Sequence, residues 1–109
     1  MKKVLVCIAF ALTSAAALAG SAQGTVAEVE SGVAYGTKVF VNIKGSATQN
    51  NCRSSTNYNF AFDTSVAGGK ELLSSLLLAK ATQQTVLATG NDQCTVWSGV
   101  ENLTWLRLL

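Results

Sequence analysis

Histidine and proline are both absent from this chain of 109 residues, and the absence of histidine limits its chemistry. No Ser-His-Asp or Cys-His nucleophile, HExxH zinc site or imidazole proton shuttle can be assembled without it. The sequence also contains no GxxxxGK(S/T) or GxGxxG phosphate-binding motif. Glu28 and Glu30 fall on one face of a predicted strand, where we expect solvated carboxylates rather than a catalytic pair. We therefore expect no enzymatic activity, no metal and no cofactor.

The N-terminal segment follows the order of a cleavable secretory leader. Two lysines at positions 2 and 3 precede an unbroken apolar run over residues 4–12, and small residues continue to Ala19. The apolar run is too short for a permanent membrane anchor. We predict cleavage after Ala19, with cleavage after Ala22 or Gln23 as alternatives; a buried N-terminal helix is the competing interpretation. The short leader indicates a bacterial protein of the periplasm or the cell exterior.

Removal of a signal peptide of residues 1–19 leaves residues 20–109, which we expect to form a single domain. Two of the eight Lys and Arg residues lie in the leader, so the remaining six balance the six Asp and Glu residues. A domain without net charge has no long-range field that attracts nucleic acid or an anionic membrane. It also has little charge repulsion against self-association. We therefore expect no nucleic acid partner and no membrane contact after cleavage.

Only two cysteines, Cys52 and Cys94, follow the leader. In an oxidising compartment such a pair predicts one disulfide. The enclosed loop is about 40 residues long, for which the chain-entropy relation gives a stabilisation of roughly 4 kcal/mol. The alternative, a metal or redox pair, is disfavoured because the chain has no histidine and no CxxC motif.

Alternation of apolar and polar residues predicts five strands. Phe40 breaks the alternation of the second strand, because it falls on the polar face. Tyr58, Phe60 and Phe62 share one face of the third strand, as expected for a half-buried strand. The predicted strands cover residues 25–30, 37–44, 58–62, 85–89 and 103–109, and residues 94–97 are predicted to be extended.

A helical period replaces the alternation from residue 65 or 66 to residue 82. We expect a side-chain oxygen of Asp63, Thr64 or Ser65 to cap its N-terminus. Leu78 falls among the polar residues of the helix, where it meets water in a monomer and is covered in an oligomer. The broad apolar face comprises Leu72, Leu73, Leu76, Leu77 and Ala79.

Three strands, a helix and two strands predict a mainly β fold with one helix (α+β). This is the order of the OB fold, a five-stranded Greek-key barrel with the helix between strands three and four. In that topology strands three and five are parallel neighbours, and Cys52 and Cys94 each lie just ahead of one of them. Parallel neighbours begin at the same end of a sheet, which supports the predicted disulfide. A plain α+β sheet with the same element order is the alternative.

The size, the element order, the disulfide and the long helix resemble the B subunits of bacterial toxins that form pentamers. Residues 69–77, 92–97 and 102–107 are similar to small uncharacterised exported proteins of Gram-negative bacteria. The resemblance covers residues 25–109 and rests on a pattern rather than a diagnostic motif. It implies assembly into a ring and glycan binding, although no sugar-site residue matches one to one.

Binding is the function that the remaining side chains favour. Aromatic rings combined with amides and arginine suit a sugar or a protein surface. The alternative for each tryptophan is a place in the core or at the end of the barrel. We predict an exported binding module with a glycan or protein partner that forms a homo-oligomer through Leu78. The candidate ligand-binding residues are Trp97, Trp105, Tyr35, Asn50, Asn51, Arg53, Asn91 and Arg107.

A periplasmic inhibitor or an envelope structural protein is the alternative function. Residues 31–35 (SGVAY) fit SGxxY, and residues 40–45 (FVNIKG) fit YxxxKG in part, with Phe40 in place of Tyr. Both patterns resemble those of bacterial inhibitors of C-type lysozyme. They fall directly after the leader here, which leaves no room for the upstream strands of that family, and its members lack the leucine-rich helix.

Overall fold

A computed structural model describes residues 19–48 and 52–109 of the chain. The predicted leader up to residue 18 and the candidates Asn50 and Asn51 therefore lie outside the described residues. The described part is mainly β, with five strands in one sheet, one α-helix and a short 3-10 turn over Val33–Tyr35. None of its helices has the length and apolar character needed to cross a membrane. The elements are β1 (Ser21–Glu30), β2 (Lys38–Ala47), β3 (Phe60–Asp63), α1 (Gly69–Thr82), β4 (Thr85–Gly90) and β5 (Glu101–Leu108).

Every strand of the sheet pairs with two others. β1 is antiparallel to β2 and β4, β2 is antiparallel to β3, and β4 is antiparallel to β5. The remaining pair, β3 and β5, is parallel, with Phe60 opposite Glu101 and Ala61 opposite Asn102. The parallel pairing of the third and fifth strands was expected from the sequence. The sheet therefore closes on itself in the order β1-β2-β3-β5-β4.

The predicted disulfide is present between Cys52 and Cys94, whose Cα atoms are 5.9 Å apart. Each cysteine lies in the loop that leads into one strand of the parallel pair, β3 or β5. The bond fastens the two loops at the end of the sheet where both strands begin. A buried asparagine of β5 supports the second loop, because Asn102 Oδ1 accepts hydrogen bonds from the amides of Thr95 and Val96, both at 3.1 Å. Residues 94–97, predicted to be extended, form this loop instead.

The first two strands are longer than predicted. They approach each other closely near the start of β1 and the end of β2. Gly24 of β1 lies opposite Gly45 of β2. A Cβ added to Gly24 would lie 1.9 Å from the Lys44 carbonyl oxygen, and one added to Gly45 would lie 2.1 Å from the Gln23 carbonyl oxygen. Both glycines have φ angles near the edge of the left-handed region, 157° and 154°. The glycine pair lets the backbones of two antiparallel strands approach more closely than a side chain at either position would allow.

The main core lies between the inner face of the sheet and one side of α1. Leu76 and Ala79 are fully buried against strand residues that include Val26, Val41 and Val86. Burying a leucine side chain contributes about 1.5–3 kcal/mol. The predicted apolar face of the helix is too broad, because Leu77 is 51% exposed. Leu78, expected to meet water in a monomer, is 55% exposed.

The start of α1 differs from the prediction. Gly68 occupies the N-cap position with φ 82°, and no side chain caps the helix. The carboxylate of Asp63, a predicted cap, instead accepts hydrogen bonds from the Thr37 hydroxyl at 2.6 Å and the Ser65 amide at 2.8 Å. These donors and the Ser65 hydroxyl lower the Asp63 pKa to about 2. Thr64 likewise donates its hydroxyl to the Thr37 carbonyl, so this corner ties β2 to β3 before the helix begins.

Candidate functional site

A second, smaller apolar cluster lies apart from the main core. Phe40, expected on the polar face of its strand, is only 3% exposed in this cluster, beside Ala61 and Val100. Tyr58, expected to share a face with Phe60 and Phe62, packs against Phe40 instead. The reason is that Tyr58 precedes β3, so the alternation of the strand does not determine its direction.

Four rings form what we call the aromatic cleft: Tyr35, Phe40, Tyr58 and Trp97. Phe40 is the central ring, with ring centroids 4.9 Å from Tyr35, 5.3 Å from Tyr58 and 5.1 Å from Trp97. Trp97 also meets Tyr35 edge to face at 5.8 Å. Edge-to-face contacts of this kind add about 0.5–1.5 kcal/mol per pair beyond area burial. The rings hold one another in fixed orientations.

Glu30 joins both tyrosines of the aromatic cleft. One carboxylate oxygen accepts a hydrogen bond from the Tyr35 hydroxyl at 3.1 Å, and the other accepts one from the Tyr58 hydroxyl. The hydrogen bond to Glu30 and the charge of its carboxylate raise the pKa of Tyr35. Glu30 was expected to be solvated, but it is half-buried and fixes two rings from different segments of the chain. It acts as a positioning residue of the cleft.

The cleft itself has a volume of about 240 Å³. Val100 and Phe40 supply its buried apolar surface, and Trp97 remains 38% exposed at its mouth. The Lys38 ammonium lies 5.6 Å from the centroid of the Trp97 ring, within cation–π range. Polar groups that can hydrogen-bond a ligand lie at the rim, on Ser55, Asn57 and Ser98.

The structure brings two of the predicted ligand-binding residues, Tyr35 and Trp97, into the cleft. A third, Arg53, lies close by, since its Nε donates a hydrogen bond to the carbonyl of Ser55 at 3.2 Å. Asn91 is elsewhere, in the turn after β4, where its Oδ1 accepts a hydrogen bond from the Gln93 amide.

Trp105 and Arg107 lie on β5, away from the cleft, and the Arg107 guanidinium is 5.4 Å from the centroid of the Trp105 ring. Trp105 is 42% exposed and lines a groove of about 410 Å³ beside the start of α1. This groove is larger than the aromatic cleft, but no other candidate ligand residue lines it. Trp105 is the only tryptophan or tyrosine among the residues that line this groove. The aromatic cleft is therefore the better candidate site.

Four contributors to the site were not among the ligand-binding residues predicted from the sequence: Phe40, Tyr58, Glu30 and Lys38. A signal for Glu30 was available, because the SGxxY segment with Gly32 and Gly36 predicts a tight turn that returns Tyr35 towards the end of the preceding strand. In the part of the chain that the structure describes, no three His, Cys, Asp or Glu side chains are grouped so as to hold a metal ion.

Comparison with known proteins adds no assignment to this geometry, since no family model, curated protein or solved structure matches the chain.

Proposed function

We propose that this protein is an exported, non-catalytic binding module that holds a saccharide in the aromatic cleft. The observation that carries the proposal is Trp97, a large ring left 38% exposed at the mouth of a cleft built from three further rings. Sugars bind through apolar faces of the pyranose ring stacked on aromatic side chains and through hydroxyl groups at the edge. The cleft offers ring surfaces in its interior and hydroxyl and amide groups at its rim, which is the combination that small-ligand sites use.

The fold proposal is an OB-like Greek-key barrel. It is supported by the closed strand order and by the parallel pairing of β3 with β5. It is also supported by the position of α1 in the chain between β3 and β4. In this arrangement the disulfide lies at the end of the barrel where residues 52–58 and 94–100 lead into β3 and β5, and these segments supply Tyr58, Trp97 and Val100 to the cleft.

Export is proposed from the leader pattern and from the Cys52–Cys94 disulfide, a bond that persists in oxidising compartments. The absence of histidine from the sequence supports a binding role rather than catalysis. The balanced charge of residues 20–109 supports a neutral partner over nucleic acid or an anionic membrane.

A glycan array with the processed protein tests the proposal. We expect binding to a defined group of glycans, lost at least about tenfold in Trp97→Ala and retained in Trp105→Ala. Trp105 is the matched control, because it is similarly exposed and lies outside the cleft. A loss of about tenfold corresponds to 1.4 kcal/mol, within the range measured for truncation of an aromatic side chain at a binding site. Binding that survives in Trp97→Ala, or an array without any signal, would contradict the saccharide proposal.

A second candidate function is self-association, as in the toxin B subunits that the sequence resembles. The specific observation is the pair Leu77 and Leu78, 51% and 55% exposed on neighbouring positions of α1. Light scattering at high protein concentration tests it, with Leu78→Glu as the variant expected to be monomeric. A wild-type chain that stays monomeric would contradict self-association and leave saccharide binding to be judged separately. A pull-down that recovers one dominant protein would favour the inhibitor or structural alternative.

A further inference from the structure

A buried carboxylate lies outside the aromatic cleft. Glu101 of β5 is 2% exposed. In the described part of the chain, two backbone amides donate to its Oε2 atom, from Gly20 at 2.9 Å and from Asp92 at 2.8 Å. Amides donate hydrogen bonds but carry no net charge, so a buried carboxylate gains more from a cation at the same atom.

Gly20 is the residue that follows the predicted cleavage site. Cleavage of the Ala19–Gly20 bond would convert the Gly20 amide nitrogen into an α-ammonium group, with the nitrogen already 2.9 Å from the carboxylate. Ala19 is exposed, whereas Gly20 is buried. Glycine is also the residue that fits, because a Cβ on Gly20 would lie 2.2 Å from Glu101 Oε1.

We propose that the processed N-terminus is the counter-ion of Glu101, so that removal of the leader creates a buried ion pair that the precursor lacks. The reaction is hydrolysis of one peptide bond: water supplies the oxygen of the new Ala19 carboxylate, and Gly20 leaves as the amine and takes up a proton. The proposal rests on the proposed export. It assigns the processing site and adds a stabilising contact that forms only in the processed chain.

The hydrogen bonds of Gly20 and of the start of β1 argue for cleavage after Ala19 over cleavage after Ala22 or Gln23. The Gly90 amide donates to the Gly20 carbonyl at 2.9 Å, and the Thr48 amide donates to the Ser21 carbonyl at 2.8 Å. Ala22 is 2% exposed and pairs with Ala47 of β2 and Ala88 of β4. Cleavage after Ala22 or Gln23 would remove these partners and the Gly20 nitrogen that donates to Glu101. Cleavage after Ala19 keeps all of them.

The intact mass of the exported protein tests the site. We expect a chain that begins at Gly20. A chain in the periplasm that begins at Gln23 or Gly24 would overturn this inference and leave export standing. An unprocessed chain retained in the cytoplasm would overturn both export and the inference.

A thermodynamic cycle tests the ion pair itself. Protein beginning at Gly20 is compared with protein beginning at Ala19, which restores an amide at Gly20 and moves the ammonium group by one residue to an exposed position. The same extension is made in Glu101→Gln. We expect the extension to raise the equilibrium constant for unfolding about tenfold when Glu101 is present and less than about twofold when it is replaced, because charge-assisted hydrogen bonds are roughly twice as strong as neutral ones. Equal effects in both backgrounds would overturn the ion pair.

A second measurement avoids the substitution, in case Glu101→Gln does not fold. A buried, ion-paired amine reacts slowly with amine-selective reagents. We expect the N-terminus of the native chain that begins at Gly20 to be acylated at least about tenfold more slowly than that of the chain that begins at Ala19. A tenfold difference in rate corresponds to a free-energy difference of about 1.4 kcal/mol. The surface lysine Lys70, exposed in both proteins, is the internal reference. Equal rates for the two N-termini would overturn the proposal.

Discussion

Replacing Glu30 by glutamine should loosen the aromatic cleft without removing any ring. The substitution keeps the size of the side chain but leaves one acceptor oxygen where the carboxylate has two. It therefore removes the acceptor of one tyrosine hydroxyl, that of Tyr35 or Tyr58, and weakens the hydrogen bond of the other by removing the charge. Hydrogen bonds to charged groups contribute about 1.5–3 kcal/mol, and neutral ones about half of that. With both bonds only part-buried, we expect the free energy of unfolding to fall by about 2 kcal/mol.

The pH dependence supplies a second readout of the same substitution. Glu30 raises the pKa of Tyr35 above its ordinary value of 10.0. Because folding raises this pKa, the interaction between Tyr35 and Glu30 stabilises the folded state fully below pH 10. That stabilisation is lost as the pH rises through the pKa of Tyr35 in the folded protein. The stability difference between wild type and Glu30→Gln should therefore narrow above pH 10. Absorbance at 295 nm follows the ionisation of tyrosine, and in the variant it should show the pKa of Tyr35 closer to 10.

Glu28→Gln is the matched control, because Glu28 lies on the same strand and is exposed. Urea denaturation of the three proteins measures the stability difference, and binding of a glycan identified on the array measures the effect on the cleft. We expect Glu30→Gln to weaken glycan binding severalfold and Glu28→Gln to leave both quantities unchanged. If the two glutamine variants behave alike in stability and in tyrosine titration, the positioning role of Glu30 is refuted.

Two further predictions concern stability. Replacing both disulfide cysteines by serine should lower the free energy of unfolding by about 4 kcal/mol, because the bond closes a loop with a sequence separation of 42 residues. Reduced wild type should be as stable as the double variant. Equal stability of oxidised and reduced wild type would contradict this prediction. The Asp63 pKa is lowered from 3.8 to about 2. The Asp63 carboxylate therefore contributes fully to the stability of the folded state above pH 4, and this contribution declines as the pH falls towards 2. Asp63→Asn should remove that decline in acid denaturation curves, whereas replacing the exposed Glu71 by Gln should preserve it.

The mainly β fold with five strands and one helix was readable from the sequence because the elements carry local signals. Alternation of apolar and polar residues marks β2 except at Phe40, and the change to a period of 3.6 residues marks α1. The disulfide followed from counting cysteines after the leader, and its place beside the parallel strands followed from the element order. These are local patterns combined with a short list of allowed connections.

The aromatic cleft was only partly predictable, because its rings come from segments without a repeating pattern. Phe40 was misplaced since alternation assumes that one face of a strand meets water, and here the loop before β5 covers that face. Tyr58 was misplaced because it lies two residues before the first residue of β3. The start of α1 was misplaced because the Asp63 carboxylate is engaged by Thr37, which is distant in sequence.

The breadth of the helical face shows a different limit. A period of 3.6 residues groups Leu77 with Leu73 and Leu76, but only Leu76 of these three is fully buried against the sheet. The structure leaves Leu77 and Leu78 exposed. Periodicity gives the direction of a buried face, whereas its width depends on the partner surface.

Fluorescence from single-tryptophan proteins tests the central claim most directly. In Trp105→Phe the only indole of the processed chain is Trp97, and in Trp97→Phe it is Trp105. Titration with a glycan identified on the array should shift and saturate the emission of the Trp105→Phe protein and leave that of the Trp97→Phe protein flat. A saturating shift from Trp105 alone, with Trp97 silent, would contradict the assignment of the aromatic cleft as the binding site.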